Sequence, residues 1–265
     1  MNYQTIILEK EHGKAILTLN RPDKMNALSE KMLSEIKFAI DKISKDKDVR
    51  GLIITGAGKA FAAGADINEL QECSNGSGYE FSHYGSMIFE LLYRLEIPVI
   101  GAINGFALGG GCELALACHI RFGTPKTRMG QPEINLGIVP GYGGTARLPR
   151  IIGKARALEM ILSGKPINSD EAMAIGLLNR VFPESELLSE TKKFMDEILT
   201  RSPQAVAKAL YLVQNSNNKK LADDLEIESR TFGEMTVTHD FKEGTSAFLE
   251  KREPVFNSRK LLTNN

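Results

Sequence analysis

The chain contains no tryptophan and only three cysteines, Cys73, Cys112 and Cys118. An odd, widely spaced set in a long chain is neither a disulfide framework nor a Cys-x-x-Cys metal motif. Histidine is also scarce: His12, His83, His119 and His239 are scattered, and no two stand at a ligand spacing. No metal site is therefore signalled. Neither sign of charge is in excess, with 33 Lys plus Arg against 33 Asp plus Glu. That removes the global electrostatic footprint of a nucleic-acid or anionic-membrane binder. No apolar run approaches the roughly 20 residues that a membrane helix needs. The opening stretch "MNYQTIILEKEHGKAILTLNRPD" lacks a basic start followed by an apolar core, and it is not the Arg-rich, acid-poor pattern of a transit peptide. A cytoplasmic protein with no metal, nucleic-acid or membrane partner is expected.

What is present is ordinary globular material. The 265 residues are 42% hydrophobic and 25% charged, enough to bury one large core with a small appendage. Residues 3–8 and 14–20 are β-rich and read as a hairpin. Ser29 can cap a helix to about Ser44, with Met32, Leu33, Ile36, Ala39, Ile40 and Ile43 at helical spacing. "VRGLIITG" is a buried strand, "AGKAFAAGADINEL" a Gly/Ala-rich stretch after it, and "CSNGSG" a loop before a helix over about 79–95. The unit then recurs: "IPVIGAING" is an apolar strand, followed by glycines and a helix. "HIRFGT", "TRMG" and "LNRVFP" are short strands, and "QPEINLGIVPGYGGTARLPRIIG" is irregular before it turns helical. From Glu184 helical patterns dominate. The expected class is α/β, with a core over 1–195 and a helical region over 196–265.

The triple glycine Gly109-Gly110-Gly111, between a strand and a helix, invites a phosphate-loop reading. The dinucleotide pattern Gly-x-Gly-x-x-Gly is not matched, because Gly105 precedes Gly109 by four. Gly58-Lys59 is followed by Ala60, and Gly153-Lys154 and Gly164-Lys165 lack the upstream glycine of a P-loop. The alternative is that bare backbone is the functional group. A glycine turn entering a helix exposes N–H groups where the helix dipole adds positive charge. Such donors, aimed at a developing oxyanion, are a strong catalytic device. "FAAGADI" is a second backbone-rich turn of the same kind. Taken singly, either stretch also fits tight packing of helix on sheet; the two together, with carboxylates nearby, favour function.

Glu113 follows Gly110 by three residues, and Glu133 lies twenty further on, in "GQPEINLGIVPG". Both segments are apolar. Two carboxyls in a dry pocket would share or hold a proton, which suits acid–base work on a bound water. Spacing alone leaves two blander possibilities open, a helix-terminal acid at Glu113 and a solvated loop acid at Glu133.

"FAAGADI", "PVIGAINGFALGGGCELALACHIRF", "GQPEINLGIVPGYGGTARLPRIIG" and "FKEGTSAFLEKREPVF" resemble the enoyl-CoA hydratase branch of the crotonase superfamily. The resemblance spans nearly the whole chain. It implies a crotonase-like spiral of ββα units with a helical C-terminal region that assembles the chain as a trimer or hexamer. It implies reversible hydration of a trans-2-enoyl-CoA thioester to the 3-hydroxyacyl-CoA, with coenzyme A part of the substrate and no cofactor. The peptide N–H groups of Ala65 and Gly110 match the family's oxyanion hole. Glu113 matches the group that activates water, and Glu133 the group that handles the C2 proton. Ala63, Asp66, Ile67 and Asn68 match the stretch lining the CoA and acyl site; some relatives carry Lys where this chain has Asn68. Lys59, Phe232, Phe248 and Lys251 match CoA-holding positions, some supplied by a neighbouring subunit, and Gly141 a backbone position near the attacking water. On apolar helix faces Phe232 and Phe248 also fit simple core packing, and Lys59 and Lys251 also fit solvated surface charges. The same scaffold supports isomerisation and specialised dehydration, and a noncatalytic acyl-CoA or RNA binder is the contrasting class. Both glutamates being present favours hydration.

Overall fold

A computed structural model describes residues 3–73, 76–216 and 221–256. Ser74 and Asn75 of the expected loop, and the end of the chain from residue 257, lie outside the described residues. Two compact units are present: residues 1–95 with 99–193, and residues 96–98 with 194–265.

In the first unit, β1 (Ile6–Glu11) and β2 (Lys14–Leu19) form the expected hairpin around His12-Gly13, with Glu11 opposite Lys14. α1 (Glu30–Lys45) follows. Ser29 caps it by accepting from the Met32 amide at 3.2 Å, and the six apolar residues read from the sequence are all buried. Then the chain repeats one pattern. β3 (Gly51–Gly56) leads to β4 (Ala60–Ala62), α2 (Ile67–Glu72) and α3 (Gly78–Tyr93). β5 (Val99–Ile103) leads to β6 (Phe106–Leu108) and α4 (Gly110–Ala117). β7 (Ile120–Gly123) leads to β8 (Arg128–Gly130), a 3-10 turn over Pro132–Leu136, α5 (Gly144–Ile152) and α6 (Lys154–Ser163). β9 (Ile167–Asn168), α7 (Ser169–Ala174) and β10 (Arg180–Val181) complete the unit.

The first strand of each repeat joins one sheet, ordered β1-β2-β3-β5-β7-β10 and parallel from β2 onward. The second strand joins another, ordered β4-β6-β8-β9, with β4, β6 and β8 parallel. Successive ββα turns thus stack in register, as the spiral expectation requires. Parallel strands need crossovers, and the helices supply them. β3 and β5 are buried along nearly their whole length, as continuous apolar strands should be. The second sheet was not foreseen: its strands are two or three residues long, too short to show alternation. Its position matters, because β4, β6 and β8 end where the turns at Gly64, Gly109 and Gln131 begin.

α8 (Leu187–Leu199) carries the chain into the second unit, which holds α9 (Pro203–Asn215), α10 (Leu221–Thr236) and α11 (His239–Glu250). Ser202 caps α9, and its hydroxyl donates to the buried Asp240 carboxylate at 2.6 Å. A cavity of about 470 Å³ in this unit is lined by Leu212, Phe232, Met235, Phe241 and Phe256 among others. Among the described residues, no helix is long and apolar enough to cross a membrane.

Candidate active site

β6 ends at Leu108, and Gly109 turns the chain into α4 with φ 50° and ψ −124°. That backbone conformation is open to glycine and costly for any residue with a Cβ. The Gly109 amide donates to Gly130 O, at the end of β8, at 2.9 Å. The first intrahelical bond runs from the Glu113 amide to Gly109 O at 2.9 Å. The Gly110 N–H therefore lies in the first turn, where helix geometry supplies no acceptor.

All eight residues of α4 are buried, Glu113 to 1% exposure. Its Oε1 accepts from the amides of Tyr142 at 2.8 Å and Gly144 at 2.6 Å. One oxygen is thus fixed by the "PGYGGT" loop. Glu133 sits in the 3-10 turn rather than in the irregular loop expected, and it is only 9% exposed. The neighbouring Gln131 is fully buried. With its amide nitrogen turned toward Glu133 it donates to both carboxylate oxygens at 3.1 Å.

Two glycines show that the carboxylates share one space. A Cβ on Gly109 would stand 2.9 Å from Glu133 Oε1 and 3.8 Å from the Gly64 Cα. A Cβ on Gly144 would stand 3.0 Å from Glu113 Oε1 and 2.8 Å from the Gln131 amide. The turn at Gly64, the start of α4, the Glu133 turn and the Tyr142–Gly144 loop converge there. Glu133 is not a solvated loop acid; Glu113 does lie in the first turn of its helix, and a distant loop holds it as well.

The "FAAGADI" turn enters by a different device. Gly64 O accepts from the Leu28 amide at 2.8 Å, and the Asp66 amide donates to Leu28 O at 3.0 Å. In such a parallel bridge the flanking groups do the bonding, so the Ala65 N–H points to the opposite edge. The Ala63 amide is tied to Met25 O at 3.0 Å. The Asp66 carboxylate caps α2 through the Asn68 amide at 3.2 Å and pairs with Arg21 at 2.9 Å, so it builds the turn. Ile67, Asn68 and Lys59 are exposed. Gly141 is half-buried, and its carbonyl accepts from the Ser82 hydroxyl at 2.6 Å.

Phe232, Phe248 and Lys251 belong to the other compact unit. Core packing is excluded for the two aromatics, which are 70% and 83% exposed. Lys251 is exposed in the left-handed cap of α11, with φ 56°.

A model of the enoyl-CoA hydratase/isomerase family matches residues 9–259. The chain belongs to that family. It is 45% identical over 260 residues to a crotonyl-CoA hydratase of Syntrophomonas wolfei, covering 98% of this chain and 100% of that one. It is 43% identical over 254 residues to a short-chain-enoyl-CoA hydratase of Clostridium acetobutylicum, covering 96% and 97%. The crystal structure of an enoyl-CoA hydratase from Bacillus anthracis superposes with a TM-score of 0.92 at 36% identity, covering 96% of this chain and 99% of that one. The fold is the crotonase fold.

Within this family member, electrostatics separate the buried groups. Burial pushes the Glu113 carboxyl up to about 7; Glu133 adds to the rise, and the Gly144 and Tyr142 amides and Arg147 oppose it. Burial also raises Glu133. The two buried thiols are raised by the same cause, Cys118 to about 12, so neither offers a thiolate at neutral pH. Among the described residues no group of three or more His, Cys, Asp and Glu is placed to hold a metal ion.

Four contributors escaped the sequence reading: Gln131, Tyr142, Gly144 and Arg147. All lie in "GQPE" or "PGYGGTAR", within a segment whose family resemblance was read without a role for these four residues. Tyr142 is 2% exposed, its ring 5.6 Å from those of both Phe81 and Phe89.

Proposed function

We propose that the protein is an enoyl-CoA hydratase acting on short trans-2-enoyl-CoA thioesters. The observation that carries this is the pair of buried carboxyls around one glycine-lined space, with one oxygen of Glu113 pinned by two amides. The amides of Ala65 and Gly110 hold the thioester oxygen as it gains enolate charge. Glu113 takes a proton from water as its oxygen attacks C3, and Glu133 gives its proton to C2. The alkene π pair becomes the new C2–H bond, the water oxygen becomes the C3 hydroxyl, and the dyad ends with the same single proton. No electrons leave the substrate, so the reaction balances without a redox cofactor. Dehydration is the reverse path.

Several finer roles rest on this reading. Ala63, Asp66, Ile67, Asn68 and Gly141 shape the acyl and water side, Asp66 by building the turn. Lys59 and Lys251 offer exposed cations to the CoA phosphates, and exposed Phe232 and Phe248 offer aromatic surface to CoA or a neighbouring subunit. The core lies over 1–195 and the helical region over 196–265 assembles the chain as a trimer or hexamer, in the cytoplasm, with no nucleic-acid or membrane partner. The printed names of the Syntrophomonas and Clostridium relatives support a short acyl chain.

Hydration across a chain-length series of trans-2-enoyl-CoA thioesters tests the reading, followed by loss of enoyl absorbance and the mass of the product. Fastest turnover on crotonyl-CoA is expected. No turnover across the series would remove the hydratase assignment and leave the family standing.

The pH profile is a second test. Hydration needs Glu113 ionised and Glu133 protonated. Because the Glu113 carboxyl is raised from 4.5 to about 7, lowering the pH through that value fills the base and stops it working. kcat/KM should therefore fall about tenfold per unit below that point. A profile flat down to pH 5 contradicts the assignment of Glu113 as base.

A further inference from the structure

The Tyr142–Gly144 turn that holds Glu113 is itself held. Arg147, in the first turn of α5, reaches back along its own helix start. Its Nη1 donates to Tyr142 O at 2.9 Å, and its Nη2 donates to Glu90 Oε2, on α3, at 2.8 Å. The other Glu90 oxygen takes Arg94 Nε at 2.7 Å, so Glu90 is anchored in turn. The Arg147 side chain is 13% exposed and that of Glu90 43%, so the guanidinium is the shielded end of the pair. Gly143 makes the arrangement possible: it has φ 107°, and a Cβ there would stand 2.2 Å from Arg147 Nη1.

Tyr142 is consequently pinned at both of its peptide groups. Its N–H points at Glu113, and its C=O points at a guanidinium. A cation on the carbonyl orients the turn and polarises the peptides in it. The planar fork can satisfy the carbonyl and the carboxylate at once, which an ammonium cannot do with the same geometry.

We propose that Arg147, braced by Glu90, is a positioning residue for Glu113: it locks the Tyr142–Gly144 turn so that two amides fix one carboxylate oxygen and aim the other at the substrate. The proposal rests on the reading of Glu113 as the base. The Arg147 side chain bonds Tyr142 O and Glu90 and acts through the turn and through its charge. The titratable groups around Glu113 are Glu133 from the 3-10 turn, Cys112 from α4, Tyr142 from the loop and Arg147 from α5. Arg147 is the cation of that set, so its removal must make Glu113 harder to ionise.

The test compares the full-length R147M, R147K, E90Q and E113Q proteins in crotonyl-CoA hydration from pH 5 to 9. R147M should lose about 10- to 100-fold in kcat, the scale of a misplaced catalytic group, with KM kept within a few-fold. Its acid limb should move to higher pH. R147K keeps the charge and loses the fork, so it should restore the limb and only part of the kcat. A folded R147M with the wild-type limb overturns the proposal, whatever its kcat, because that is the signature of a merely structural residue. Should R147M fail to fold, R147K and E90Q decide: lowered kcat at kept KM supports the brace, and wild-type kcat in both overturns it. Near wild-type turnover in E113Q is a different failure, since it removes the base reading on which the proposal stands.

Discussion

Glu113→Gln should lower hydration turnover by about 10³-fold, within the 10²–10⁴-fold range of a positioned acid–base group. The substitution is close to surgical. The amide oxygen of glutamine can still accept from Tyr142 and Gly144, so the loop stays in place. What is lost is the ability to take a proton from water. Glu133→Gln should lose a similar factor, because the amide has no proton to give to C2. Both proteins should still bind crotonyl-CoA. The stability readout is independent and runs the other way for Glu113. Its carboxyl sits at about 7 in the fold against 4.5 as the ordinary value, so the folded state binds that proton more tightly than the unfolded chain. Stability from this group is therefore present at low pH and is lost as pH rises from about 4.5 to about 7. Above that window the buried charge costs on the order of 3 kcal/mol. Glu113→Gln should melt higher than wild type at pH 8 and with it at pH 4.5. Wild-type turnover would show that the carboxyl is not the base, and an unchanged melting point at pH 8 that it is not held against its own charge.

Much of this site was legible in the sequence because its working parts are backbone. Glycine runs, a Gln-Pro-Glu turn and two acids in apolar stretches leave plain marks. The long helices and apolar strands were equally plain: the buried stripe of α1 is the set that helical spacing picks out. Other features were hidden for physical reasons. Of the second sheet only β8 was read, as the short strand "TRMG"; β4, β6 and β9 are too short for a period to emerge, so the sheet they form and the stacking of its strand ends were invisible. Spacing left open whether Glu133 was a solvated loop acid, because its burial to 9% exposure is a property of the folded chain that local sequence does not show. The roles of Tyr142, Gly144 and Arg147 depend on which way peptides point, and no side-chain pattern encodes that. For Phe232 and Phe248 the alternative of core packing was the one the structure removed. They lie on apolar helix faces and yet are exposed, since periodicity reports an apolar face without saying what covers it.

Gly109→Ala and Gly144→Ala should each lose about 10²-fold or more in hydration, yet for different reasons, and the difference tests how the site is divided. At Gly109 the new methyl meets Glu133 Oε1 at 2.9 Å, in a backbone conformation that favours glycine. The variant therefore displaces Glu133 and tilts the neighbouring Gly110 amide, with a strain of about 1–3 kcal/mol. At Gly144 no left-handed φ is involved; the methyl meets the Gln131 amide at 2.8 Å, Pro140 Cβ at 2.9 Å and Glu113 Oε1 at 3.0 Å. That variant pushes Glu113 off its two amides and disturbs the water side. The two halves of the reaction can be read apart with butyryl-CoA in deuterium oxide. Exchange of its C2 protons needs the oxyanion donors and Glu133, and involves no attack at C3. Gly109→Ala should lose exchange together with hydration, and Gly144→Ala should lose hydration by the larger factor while retaining more of the exchange. The reverse order would mean that Glu113 works at C2 and Glu133 at the water. Equal loss of both activities in both variants would mean that the two carboxyls act as one unit, with no division of labour between them.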